Sequence, residues 1–126
     1  MRLLLDTHAF VWAIAQSSRL SPRAASLIRD PAHTVLVSAI SAYEIEFKRP
    51  RDPVLAALPA DLDEVATNHG FQWLALLSSH ATIAGRLPRL AGDPFDRMLA
   101  AQALVEQATI LTRDRAIAAY GCVVAW

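Results

Sequence analysis

The sequence predicts an α/β fold with three layers, in which helices cover both faces of a central, mainly parallel sheet of four to five strands. Two observations lead to this prediction. Short apolar runs alternate with stretches of helical periodicity, and the first run, LLL at 3–5, has no polar residue that would face solvent. The length of 126 residues suits one domain, so we expect a single domain over residues 1–126.

Five stretches are predicted as strands because they are short and rich in apolar residues. They lie at 2–5, 34–37, 71–76, 109–112 and 122–125. Helical stretches separate them, which is the order of elements in a parallel sheet with crossover helices.

Local start and stop residues mark several of the helices. Ser21 and Pro22 form an N-cap followed by proline at the first helical position, and Asp93 with Pro94 repeats this pattern before a long, alanine-rich helix. The predicted helices cover 7–15, 22–29, 41–48, 60–68, 79–87, 94–107 and 114–120. The stretch 49–59 contains three prolines and is predicted as a connector or a short-helix region.

Composition excludes several classes of protein. An apolar fraction of 54% with a net charge of +0 excludes a disordered chain and argues against a protein that coats nucleic acid. No apolar run approaches the roughly 18 residues of a membrane-spanning helix, and the stretch after Met1 is too short for a secretory signal. Cys122 is the single cysteine, which excludes an intrachain disulfide framework. We therefore expect a cytoplasmic protein that does not contact membranes.

Five acidic residues are predicted to lie at one edge of the sheet. Asp6 ends the first strand, and Asp114 follows the fourth strand by two residues. Glu44 lies near the start of the helix after the second strand, and Asp93 and Asp96 lie at the start of the long helix. In a parallel sheet, strand ends and the starts of the following helices share the carboxyl edge, where ligands bind.

Each acid also has a purely structural explanation. Ser41 and Glu44 fit the capping box, in which the two side chains bind free N–H groups at a helix start. Asp93 is a good N-cap before Pro94, and Asp96 near the helix start interacts favourably with the helix dipole. The two remaining acids follow strands and could cap the helices that come next.

A convergent cluster of acids normally needs a cation, because carboxylates about 4 Å apart repel by roughly 4 kcal/mol per pair. Oxygen ligands without cysteine favour Mg²⁺ or Mn²⁺, and the matching chemistry is metal-assisted hydrolysis of a phosphodiester. Two alternatives stay open. One is a non-catalytic module whose acidic edge binds a basic partner peptide; the other is an aspartyl-nucleophile phosphatase, which usually has a second acid where this chain has His8.

Four motifs occur in order along the chain: LLDTH at 4–8, SAISAYEI at 38–45, DPFDRMLAAQA at 93–103 and LTRD at 111–114. In these motifs the chain resembles PIN-domain ribonucleases, specifically the VapC-type toxins of bacterial toxin–antitoxin pairs. The resemblance covers essentially the whole chain. It implies a PIN-like fold and a metal-dependent endoribonuclease.

The resemblance also implies roles for individual residues. Asp6, Glu44, Asp96 and Asp114 would form a catalytic acidic quartet. Three of them, Asp6, Asp96 and Asp114, would be the ligands of Mg²⁺ or Mn²⁺, and Glu44 would orient a metal-bound water or hold a second metal. Two residues would support the quartet: Asp93 through capping or outer contacts, and Thr112 by holding a carboxylate or a water.

Partners follow from the same resemblance. Relatives are commonly homodimers, are inhibited by a cognate antitoxin with which they can form larger assemblies, and cleave structured RNA such as tRNA or rRNA. Several basic side chains, Lys48 among them, could bind RNA phosphates. Arg97 and Arg113 are the first choices because they flank members of the quartet. The apolar surplus would also serve a dimer or antitoxin surface.

Overall fold

The computed structural model describes residues 1–90 and 93–126 and contains a five-stranded sheet in the order β3-β2-β1-β4-β5. All four strand pairings are parallel, which confirms the predicted α/β class. The strands are β1 (Arg2–Leu5), β2 (Thr34–Ser38), β3 (Gln72–Leu74), β4 (Thr109–Leu111) and β5 (Val124–Ala125).

Helices flank the sheet on both sides. The α-helices are α1 (Thr7–Ala15), α2 (Pro22–Arg29), α3 (Ala39–Lys48), α4 (Pro53–Ala56), α5 (Leu62–Asn68), α6 (Ser78–Arg86) and α7 (Pro94–Glu106). Within the described residues, 3₁₀ turns lie at Ser17–Arg19, Arg49–Arg51 and Arg115–Tyr120. Among the described residues, none of these helices has the length and apolarity needed to cross a membrane.

Alternate side chains of β1 enter two separate cores. Leu3 and Leu5 pack in one core with Phe10 of α1, whereas Leu4 packs in the other core with Leu99 of α7. All three leucines of β1 are fully buried. A central strand that is apolar on both sides is what a sheet covered by helices on both faces requires.

The order of the strands reverses at β1. The chain passes outward from β1 through β2 to β3 and then returns to place β4 on the other side of β1. The crevice between the carboxyl ends of β1 and β4 is therefore the topological switch point, where ligands bind in open α/β sheets.

The predicted start of α3 was wrong by two residues. The helix begins at Ala39, and Ser38 is its N-cap, with the Ser38 Oγ accepting from the Ile40 amide at 3.0 Å. Ser41 and Glu44 therefore do not form a capping box, and Glu44 lies in the second turn. The N-caps predicted at Ser21 and Asp93 are confirmed, since each side chain accepts a backbone N–H of its helix.

Two edge strands are shorter than predicted, and one predicted helix is a 3₁₀ turn. β3 covers three residues of the predicted 71–76, and β5 covers two of 122–125. The stretch predicted as a helix at 114–120 folds as the 3₁₀ turn Arg115–Tyr120. Both β3 and β5 are edge strands, each hydrogen-bonded to one neighbouring strand.

A buried polar network, called here the interior network, links β2, α6 and α7 through Ser38, His80, Gln102 and Glu106. Ser38 Oγ donates to Gln102 Oε1 at 2.5 Å. The Leu77 amide donates to His80 Nδ1 at 3.0 Å, so the ring proton lies on Nε2 and is donated to Glu106 Oε1 at 3.0 Å. Ser38, His80 and Gln102 are fully buried, and hydrogen bonds offset their desolvation.

Candidate active site

Asp6 lies at the crevice between β1 and β4. Its backbone amide donates to the Leu111 carbonyl at 3.2 Å, which fixes it against β4. Its Oδ1 accepts from the Ala9 amide at 2.7 Å and caps α1, while Oδ2 accepts from Thr112 Oγ1 at 2.5 Å. Burial raises the pKa of this carboxyl, and the bonds from Thr112 and Ala9 oppose the rise.

Thr112 connects the ends of the two central strands. Its side chain is 1% exposed, donates to Asp6 and accepts from the Asp114 amide at 3.0 Å. Asp114 is exposed, and its Oδ1 accepts from the Ala116 amide at 3.0 Å at the start of the 3₁₀ turn. One hydroxyl thus orients both acids that follow β1 and β4.

Glu44 projects from α3 toward the start of α1. Thr7 Oγ1 donates to Glu44 Oε1 at 2.6 Å, and Ser41 Oγ lies 2.9 Å from the same hydroxyl. Lys48 Nζ lies 2.6 Å from Glu44 Oε2. The carboxylate is therefore buried between the Thr7 hydroxyl and the Lys48 ammonium, which fix its orientation.

Asp96 lies in the first turn of α7, where its amide donates to the capping Asp93 Oδ1 at 2.8 Å. Partial burial, the largest cause, and the charges of the nearby carboxylates together raise the pKa of Asp96 to about 6; the carboxylates contribute in the order Asp93, Asp114, Asp6 and Glu44. Asp96 thus lies within electrostatic reach of every other predicted acid. We call these five residues, Asp6, Glu44, Asp93, Asp96 and Asp114, the acidic rim.

Lys48 supplies positive charge within the acidic rim. Its bond to Glu44 raises the pKa of the ammonium, and the charges of Asp93 and Asp96 add to the effect. From the sequence, Lys48 was predicted only as one of several basic side chains that could bind RNA phosphates. The Glu44–Lys48 spacing of four residues on a helix, which brings two side chains together, is the sequence pattern that would have indicated this ion pair.

The donor set of the acidic rim fits a hard divalent cation. All five side chains offer carboxylate oxygens, which Mg²⁺ and Mn²⁺ prefer, and their repulsion, seen in the raised pKa of Asp96, is what a cation relieves. Across residues 1–90 and 93–126, no three His, Cys, Asp or Glu side chains are arranged as a ready-made ligand set. The carboxylates are close enough for their charges to interact, but their side chains must move closer to one another to coordinate a single ion.

A family model described as "PIN domain" matches residues 3–121. The chain belongs to the PIN domain family. The resemblance inferred from the four motifs is thereby confirmed at the level of the family, and the five-stranded parallel sheet is that of a PIN domain.

Individual PIN proteins resemble this chain over nearly its whole length. Ribonuclease VapC22 of Mycobacterium tuberculosis is 29% identical over 124 residues, covering 90% of this chain and 87% of the relative. The crystal structure of VapBC2 from Rickettsia felis, bound to a DNA fragment from their promoter, is similar to this chain with a TM-score of 0.75 and 17% identity. The match covers 99% of this chain and 98% of the VapBC2 chain. FitAcB from Neisseria gonorrhoeae is similar with a TM-score of 0.60 and 22% identity, and the match covers 97% of this chain and 95% of the FitAcB chain. The two structures show likeness of fold.

Arg97 has an internal role in this PIN domain. Its guanidinium donates to the carbonyls of Ala84 at 2.8 Å, Leu87 at 3.0 Å and Pro88 at 2.7 Å. These contacts join the end of α6 to the first turn of α7, so the guanidinium has hydrogen-bond partners within the protein. Arg113, the other predicted RNA contact, is exposed between Thr112 and Asp114.

Proposed function

We propose that residues 1–126, as a single PIN domain, form a metal-dependent endoribonuclease of the VapC type that hydrolyses phosphodiester bonds in tRNA or rRNA. The observation that carries the proposal is the placement of Asp6 and Asp114 at the carboxyl ends of β1 and β4, joined by the Thr112 hydroxyl. Asp96 lies close enough that the charges of these and the other rim carboxylates add to burial in raising its pKa. Such a concentration of like charge is costly in a folded protein and is typical of sites that bind a cation.

In this proposal, Asp6, Asp96 and Asp114 hold Mg²⁺ or Mn²⁺. When bound, the divalent ion would polarise the phosphate and would lower the pKa of a water molecule toward neutral pH. Asp96 must be ionised to serve as a ligand, and because its pKa is raised to about 6 in the metal-free protein, the ion and a proton compete for this carboxylate. Thr112 positions Asp6, and Asp93 holds the start of α7 in place through its cap.

Glu44 orients the attacking water. Thr7 donates to one of its carboxylate oxygens and Lys48 to the other, so the group is held in one orientation. A carboxylate fixed in this way can accept a proton from a water brought to the rim. Arg113, exposed beside Asp114, contacts an RNA phosphate.

The same proposal includes protein partners. The fold is similar to those of VapBC2 and FitAcB, and this likeness leads us to propose a homodimer that is inhibited by a cognate antitoxin and acts in the cytoplasm. A basic antitoxin segment would suit the acidic rim, because it would neutralise the same charges that a cation neutralises.

RNA cleavage by the purified protein tests the enzymatic part. We expect cleavage of a tRNA pool with Mg²⁺ or Mn²⁺, none with EDTA, and none with Asp6→Asn. Asp63→Asn is the matched control, because Asp63 is an exposed acid of α5 outside the acidic rim. Cleavage that survives both EDTA and Asp6→Asn would exclude the metal mechanism.

Calorimetry separates this proposal from the interaction-module alternative. We expect the unmodified protein to bind Mn²⁺, with the affinity reduced in Asp6→Asn. Absence of divalent binding together with tight binding of a basic peptide would favour the non-catalytic module.

A further inference from the structure

Three aromatic rings lie in contact beside the acidic rim. Tyr43 and Phe47, one turn apart on α3, are stacked with centroids 5.9 Å apart and planes inclined by 18°. Phe95, in the first turn of α7, lies with its centroid 5.9 Å from that of Tyr43. We call these three rings the aromatic platform.

Two of the three rings of the aromatic platform face solvent, and Phe95 is half-buried. Tyr43 is 58% exposed and Phe47 is 68% exposed, although each ring is large and apolar. Neither ring belongs to the two cores that flank the sheet. Tyr43 and Phe47 cover part of each other by stacking, and the area that stays exposed on these large rings is the kind of surface on which a nucleobase stacks.

The platform and the acidic rim are adjacent on the same two helices. Glu44 follows Tyr43 on α3, and Phe95 lies between Asp93 and Asp96. Lys48 joins the two features, because its Nζ lies 2.6 Å from Glu44 Oε2 and 5.6 Å from the Phe95 ring centroid. The Lys48 ammonium thus lies between the rings and the carboxylates. At this position it can contact the phosphate next to a base that stacks on the platform.

We propose that Tyr43, Phe47 and Phe95 stack a base of the RNA next to the phosphate that is cleaved at the acidic rim. The inference rests on the proposed function, which it deepens by naming positioning residues for the substrate. Stacking against a second copy is disfavoured by charge, since it would bring two acidic rims toward each other. A nucleotide brings an uncharged ring to the platform and an anionic phosphate to Lys48.

The test measures binding of a short unpaired oligoribonucleotide in the presence of Ca²⁺, which binds carboxylates and so offsets the charge of the acidic rim. Gel electrophoresis checks that the oligonucleotide stays intact during the measurement. The double variant Tyr43→Leu, Phe47→Leu keeps the apolar area and removes the π-faces. We expect its affinity to fall roughly tenfold, as is typical for the loss of base–aromatic stacking. The affinity for an abasic oligonucleotide of the same length stays unchanged, because that ligand has phosphates and no bases.

Val123→Ala is the control, since Val123 is 65% exposed and lies beside the edge strand β5, away from the platform. Four outcomes would overturn the inference: no binding of either oligonucleotide by the unmodified protein, an unchanged affinity in the double variant, an equal loss for both oligonucleotides, or a change of oligomeric state by light scattering. The last outcome would instead assign the rings to an interface between protein chains. Failure of the proposed function would appear separately, as absence of divalent-dependent cleavage by the unmodified protein.

Discussion

In the interior network each polar side chain has a partner of complementary character: Ser38 donates to Gln102, and the neutral ring of His80 donates to Glu106. On the acidic rim, carboxylates face one another, and the pKa of Asp96 rises to about 6. Both regions take polar groups out of water. The first restores hydrogen bonds within the protein and stabilises the fold, whereas the second keeps an excess of negative charge that Lys48 offsets only in part and that a bound cation would neutralise.

The largest expected effect is the loss of activity in Asp96→Asn, which removes one charge from the acidic rim. RNA cleavage should fall roughly a thousandfold, because a metal ligand at the reacting phosphate supplies several kcal/mol of transition-state stabilisation. The metal-free variant should nevertheless unfold at a higher temperature near neutral pH, since the repulsion by the other four acids is relieved. Cleavage rates and thermal unfolding in EDTA measure the two effects. A variant that is both inactive and less stable would contradict the charge imbalance.

The opposite pattern is expected in the interior network. Gln102→Leu leaves the Ser38 hydroxyl and a backbone carbonyl without their partner, which should cost about 2–3 kcal/mol of unfolding free energy. Cleavage per folded molecule should change little. Denaturant unfolding measures the loss, and Gln72→Leu, at an exposed position of β3, is the matched control. Equal stability of the two variants would show that the network does not stabilise the fold.

Thr112→Val tests the hydroxyl that joins the ends of β1 and β4. Valine has nearly the same shape but cannot donate to Asp6, so burial raises the pKa of that carboxyl without this opposing bond. We expect cleavage to fall about tenfold, the equivalent of one hydrogen bond to a charged group, and its acid limb to move to higher pH. A pH profile of kcat/KM measures the shift, with Thr109→Val on β4 as control. An unchanged acid limb would mean that Thr112 does not tune Asp6.

The smallest expected effect is the pH dependence of stability contributed by Asp96. Its pKa is about 6 in the folded protein against an ordinary 3.8, so the folded state binds more protons than the unfolded state between these values. Stability of the metal-free protein is therefore highest below about pH 4 for this group and falls as pH rises through 6, by about 1 kcal/mol after allowance for solvent screening. The difference between the unmodified protein and Asp96→Asn, measured in EDTA across this range, isolates the contribution. A difference that does not vary with pH would contradict the raised pKa.

The elements that local chemistry defines were predictable from sequence. The run Arg2–Leu5 is too short and too apolar to be other than a buried strand, and Asp93 with Pro94 marks the start of α7. The convergence of the acids followed from parallel topology alone, because strand ends and helix starts share one edge. That capping and clustering coexist was less evident: Asp6, Asp93 and Asp114 each cap a helix or 3₁₀ turn and also belong to the acidic rim.

Features that depend on contacts between distant segments were not predictable. Ser38 and Ser41 are both good N-cap residues, and the choice between them follows from Gln102, which binds Ser38, and Thr7, which lies against Ser41. Arg97 flanks Asp96 in sequence, yet its guanidinium points to the carbonyls at the end of α6. Sequence proximity to a site residue does not determine the direction in which a long side chain extends.

The position of β4 in the sheet has a consequence for the order in which the site forms during synthesis. β4 lies late in the sequence but pairs with β1, and Thr112 at its end orients Asp6. A ribosome-bound chain that has not yet released residues up to 114 carries Asp6, Glu44 and Asp96 without a framework that holds them together. The charge repulsion of the rim is therefore absent from the nascent chain and arises only when the last central strand is inserted.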